Sequence, residues 1–159
     1  MYKFIFALLL LTLGLQTASL QAAEDRKICG MTTVKGTCSK FMQGDKMQLC
    51  RGVLLNTDYN DGTTGFYFVE EADDGKVLTF SGFGPNQQKL STGAILQPIH
   101  RVIQKDGVLG VSGQCIFENP FAGPANVECE AQAANGAWFI GYFLTDGSEP
   151  ERKEFCEND

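Results

Sequence analysis

Six cysteines, every one of them placed after an apolar leader, constrain this 159-residue chain more than any other feature. Lys3 supplies a charged start, Phe4 to Leu15 is an almost unbroken apolar run, and Thr17, Ala18, Ser19, Ala22 and Ala23 form a region of small residues. That order is the pattern of a cleaved secretion signal, read here as residues 1–23. Export places the thiols in an oxidising compartment, where disulfides are their ordinary fate. The apolar core of the leader is about half the ~20 residues a spanning helix needs, so it is not read as a membrane anchor. A lipid anchor needs a cysteine at the cleavage point, whereas Cys29 follows the charged Asp25, Arg26 and Lys27. The expected location is periplasmic or extracellular, and the lack of any Asn-x-Ser/Thr sequon fits the periplasm.

Residues 24–159 have the length of one domain, which buries about 68% of its unfolded surface, so disulfides reinforce a core rather than replace it. The formal net charge is −6, and it becomes one unit more negative when Lys3 leaves with the leader. An acidic chain without a basic cluster argues against nucleic acid and against anionic membrane surfaces.

Turn signals punctuate this domain. Asp61-Gly62, Asp74-Gly75, Asp106-Gly107, Asn135-Gly136 and Asp146-Gly147 are dipeptides that accept positive φ in tight hairpins. Runs rich in Val, Ile, Phe, Tyr and Thr lie between them and predict strands near 47–55, 65–70, 76–83, 94–103, 108–118, 126–134 and 137–144, with another near 33–41. The tail from Glu149 to Glu157 reads as one helical turn at most. The fold class is therefore all-β: an antiparallel meander of seven or eight strands, forming a small barrel or a two-sheet sandwich. Glycines in or beside strands, such as Gly82, Gly113 and Gly141, favour a curled sheet.

Hairpin arithmetic narrows the cysteine pairing. Cys115 and Cys129 each lie seven residues from Ala122, the centre of the loop between them. Cys129 alternates with Val127, Ala131 and Ala133 against Glu128, Glu130 and Gln132, and Cys115 alternates with Leu109, Val111 and Phe117, so both thiols point inward. The two are expected to bond directly across antiparallel strands. The same counting around Gly44 pairs Cys38 with Cys50, although alternation near Lys40 is not clean, and leaves Cys29 for Cys156. The competing arrangement is Cys29–Cys38 with Cys50–Cys156. With one histidine and no C-x-x-C spacing, disulfides are expected rather than a metal or redox centre.

No catalytic constellation is visible. His100 is the single histidine, and strand alternation sets it opposite Arg101, with Pro98 hinting at an edge or bulge. Ser112 sits in Gly110-Val-Ser-Gly113, which is not a nucleophile elbow. The acidic residues around Asp58–Gly62 fail the EF-hand spacing and, with Glu70, Glu71, Asp73 and Asp74, read as solvated hairpin tips. No cofactor motif appears, and the domain is read as a non-enzymatic monomer.

The remaining signal is aromatic. Phe66-Tyr67-Phe68-Val69 and Trp138 to Leu144 are apolar on both faces, where a sheet with one wet face should alternate. One set fills the core. The other needs a cover from the segment before Cys38 or from the tail around Phe155, or else it forms a binding patch or lines a ligand cavity. Tyr67, Trp138 and Tyr142, with Phe121 on a loop stiffened by Pro120 and Pro124, are the candidate recognition surface. The expected role is a protein-binding or inhibitor-like module of the cell envelope. The alternative is a small barrel carrying an apolar small molecule, and an enzyme of unknown class comes third.

Overall fold

The computed structural model describes residues 26–44, 46–71 and 76–156; the leader read at 1–23 and the Asp74-Gly75 turn lie outside them. Eleven strands follow in order: β1 Ile28–Gln43, β2 Lys46–Met47, β3 Cys50–Tyr59, β4 Thr63–Glu70, β5 Val77–Phe83, β6 Gln88–Lys89, β7 Ile95–Gln104, β8 Gly107–Phe117, β9 Asn126–Ala133, β10 Trp138–Thr145 and β11 Glu151–Glu154. Eight of them close an antiparallel barrel in the order β1-β3-β4-β5-β7-β8-β9-β10, with β10 returning to β1. The meander is thus a barrel and not a sandwich. Gly62 and Gly136 turn two of its hairpins at φ of +78° and +89°, where a side chain would be strained.

β1 makes the closure possible. Its first half pairs with β3 on one side and β11 on the other, and its second half, Gly36 to Gln43, pairs with β10. A bulge between Cys38 and Lys40 falls within the stretch paired with β10, and this is why alternation there is unclean. A Cβ on Gly36 would stand 2.0 Å from the Leu144 carbonyl oxygen, so only glycine permits the seam at that crossing. The tail differs from its expected helical turn. Glu151–Glu154 is a strand on the edge of β1, since the ladder hydrogen bonds and the anchor at Cys156 outweigh its weak local preference for strand. The strand expected at 47–55 begins later and runs Cys50–Tyr59.

The disulfides are Cys29–Cys156, Cys38–Cys50 and Cys115–Cys129, with Cα separations of 4.6, 5.8 and 4.0 Å. Cys115 and Cys129 are opposed in the β8–β9 register and fully buried. β9 shows the wall in section: Val127, Cys129, Ala131 and Ala133 are buried, while Asn126, Glu128, Glu130 and Gln132 are exposed. Phe139 and Phe143 point inward from β10, as Phe66 and Phe68 do from β4. The ring of Phe68 stacks on Phe41 at 6.1 Å and meets Phe80 edge-on at 5.6 Å, so one end of the barrel is plugged by phenylalanine.

Alternation predicts His100 and Arg101 on opposite faces, and the structure corrects this. A bulge between Ile99 and Arg101 turns both outward, with Arg101 opposite Ser81. Pro98 marks that bulge and not a sheet edge, because β7 is paired on both sides. Among the described residues no helix is long and apolar enough to cross a membrane. The three disulfides fit a protein that folds in an oxidising compartment.

Candidate functional site

The phenylalanine plug does not extend through both ends of the barrel. At the other end, where β3 runs into β4, β5 into β7, β8 into β9 and β10 into β11, a cavity of about 480 Å³ occupies the mouth of the barrel. Its wall comes from inward-facing positions of six strands: Val34, Leu54, Phe66, Ile95, Phe117 and Val127. Phe66 and Phe117, with ring centroids 5.0 Å apart, join the two sides of the barrel at this level. Three polar side chains interrupt the apolar wall. Thr32, Asn56 and Thr145 face the same space from β1, β3 and β10. Asn56 is held by hydrogen bonds from its amide nitrogen to Thr64 Oγ1 at 3.3 Å and to the Gly65 carbonyl at 3.1 Å. Thr145 Oγ1 accepts from the backbone N–H of Ala125 at 2.8 Å, fixing the end of the 118–125 loop.

Three segments outside the ring frame the opening. The first is the excursion from Gly84 to Ala94, which carries β6 and contributes Lys89 and Gly93. The second is the loop Glu118–Phe121. There Asn119 Oδ1 accepts from the N–H of Phe121 at 3.1 Å, and a short turn of 3-10 helix begins at Pro120. The third is β11, which brings Arg152 over the rim.

The charged groups at the opening are not equivalent. Arg152 is fully engaged: Nη1 donates to Thr32 Oγ1 at 2.9 Å, Nη2 lies 3.4 Å from Asp58 Oδ2, and Nε donates to Glu154. Glu118 Oε2 accepts from the backbone and side-chain nitrogens of Asn126 at 2.8 and 3.3 Å. Lys89 lines the cavity, and its ammonium has no hydrogen-bond or ion-pair partner among the described residues.

The residues singled out from the sequence are dispersed. Phe121, 55% exposed, stands at the mouth. Trp138 and Tyr142 share the outer face of β10, Trp138 at 41% exposure. Tyr142 donates to Glu130 and lies under the Lys40 ammonium, 5.2 Å from its ring centroid. Tyr67 is three strands round the barrel from β10, half-buried on the outer face of β4 and hydrogen-bonded to Tyr59. Arg26 lies over Tyr59, the hydrogen-bond partner of Tyr67, with its guanidinium carbon 3.7 Å from the Tyr59 ring centroid. Phe155, the tail aromatic considered as a cover, is itself 56% exposed.

Elsewhere on the wall, His100, Ser112, Gln132 and Trp138 border a shallow outer groove. Burial and the neighbouring Arg101 charge lower the His100 pKa. Among the described residues no three His, Cys, Asp or Glu side chains converge on a metal-sized site. Compared with known protein families, with curated protein sequences and with solved structures, the chain matches none.

Proposed function

We propose that this protein is an exported binding protein that holds a small, largely apolar molecule in the mouth of its barrel. One observation carries the reading: an eight-stranded barrel has room inside either for packed side chains or for one small ligand, and here one end keeps a cavity of about 480 Å³. That volume lies within the range of small-molecule sites, roughly 300–1,000 Å³, and an apolar wall with a few placed polar groups is their usual chemistry. The sequence alone favours a protein-binding module, with a carrier as the alternative; the depth and apolar wall of the mouth reverse that order. Export, with the periplasm as destination, remains part of the proposal and rests on the leader and the disulfides.

The test is native mass spectrometry of protein recovered from its own host, together with titration of an environment-sensitive apolar dye. A retained small molecule and saturable dye binding are expected. Ile95→Trp projects an indole into the mouth from a partly exposed position, and it should abolish dye binding while leaving the circular dichroism of the barrel unchanged. Dye binding untouched by Ile95→Trp, with no retained molecule, would reject the reading.

A further inference from the structure

The charges around the opening say more about the ligand than its apolar wall does. Three charged residues line the cavity: Lys89, Glu118 and Arg152. Two are committed to the protein. Glu118 is bonded to Asn126, and each of the three guanidinium nitrogens of Arg152 lies within 3.5 Å of an oxygen on Thr32, Asp58 or Glu154. Lys89 alone has no partner among the described residues. It stands on β6, whose ladder to β7 sets Lys89 directly opposite Ile95, so an ammonium and an apolar wall residue flank the same opening.

On the reading that the mouth holds a small molecule, we infer that the ligand is a single-chain amphiphile with one negative charge, its tail in the cavity and its head on Lys89. A long-chain carboxylate has this form. The tail removes apolar surface from water against Leu54, Phe66 and Val127, and the head stays at the wet rim, where an anion needs least desolvation. Lysine suits such a site because its charge sits at the end of a flexible stem that can follow the head group. The acidic balance of the chain does not oppose this. Ionic screening acts over about 8 Å at physiological salt, so Lys89 within hydrogen-bonding reach outweighs carboxylates remote from the opening; Glu118, the one carboxylate in the lining, is turned to the two nitrogens of Asn126.

Isothermal titration calorimetry with dodecanoate, dodecanol and dodecylammonium tests the inference on the intact disulfide-bonded protein. Dodecanoate should bind about threefold to tenfold more tightly than dodecanol, the span expected between an exposed ion pair and a charge-assisted hydrogen bond. Dodecylammonium should bind more weakly than either. Lys89→Gln, a change at an exposed position, should bring dodecanoate down to the level of dodecanol and leave dodecanol unchanged. Equal binding of dodecanoate and dodecanol, or a carboxylate preference that survives Lys89→Gln, overturns the inference and leaves an apolar binder in place. If none of the three amphiphiles binds the folded protein, the small-molecule reading itself falls and the inference falls with it.

Discussion

Single residues set how closely the barrel can pack. Gly141 faces inward on β10, and a Cβ there would meet the Phe68 ring at 2.6 Å. The ring cannot retreat, because Phe68 is 1% exposed and held between Phe41 and Phe80. Gly141→Val should therefore destabilise the fold by about 1–3 kcal/mol, the usual cost of overpacking a filled core, read from the midpoint of urea denaturation. A midpoint equal to the wild type would mean that the plug is looser than its ring contacts suggest. Two tyrosines carry a second prediction. Burial, together with the hydroxyl and charge of Tyr59, raises the Tyr67 pKa to about 12. The hydrogen bond to Glu130, then burial and the negative charges of Glu130 and Glu128, raise that of Tyr142 to about 12. An unfolded tyrosine loses its proton near pH ~10. Between these values the native state holds protons that the unfolded state has released, so stability is fully present below the unfolded pKa and falls as pH rises from about 10 towards 12. Absorbance titration of tyrosinate should show the two phenols ionising late, and Tyr142→Phe should remove one of the late steps.

At the scale of elements, β11 has the most exposed hold. It is a short strand with every side chain exposed, paired to β1 from Gly30 to Thr33 and tied at its end by Cys29–Cys156. A bond that closes so long a loop contributes about 5 kcal/mol in the chain-entropy account. Replacing both Cys29 and Cys156 with Ala should cost stability of that order. Hydrogen exchange should then show β11 amides losing protection ahead of those of β3 and β9. Since Arg152 rides on β11, the same variant should weaken binding at the mouth. Most of the strands were legible in the sequence, because Asp-Gly and Asn-Gly turns bracket runs with a period of two. β11 was not: Glu-Arg-Lys-Glu has no β-branched or aromatic residue, and only its register with β1 makes it a strand. The outward turn of both His100 and Arg101 was hidden for a related reason, since a bulge breaks the period on which face assignment depends.

At the scale of the whole molecule, the interior is divided. Phenylalanines from β1, β4, β5 and β10 close one end, and the other end opens between three peripheral segments. No local pattern could reveal this. The wall of the mouth is drawn from six strands that are distant in sequence, and the lack of a partner for Lys89 among the described residues is defined by what surrounds it after folding. The pairing of Cys115 with Cys129 was legible because both strands belong to one hairpin; the pairing of Cys29 with Cys156 came only by elimination. The closing seam joins Gly36 with Thr145 and Gln43 with Phe139, which are the first and last staves of the barrel. This has a consequence in time. A chain made or exported from its N-terminus holds β1 without its second partner until almost all of the sequence has followed. Until then the barrel is an open sheet with two sticky rims, and Cys29 can meet Cys38 or Cys50 long before Cys156 arrives. Bringing such remote segments together is slow, on the millisecond-to-second scale typical of barrels dominated by non-local pairing. A bond from Cys29 to Cys38 or Cys50 formed in that interval must be exchanged before Cys29 can reach Cys156, whereas Cys38–Cys50 and Cys115–Cys129 can form early and stay.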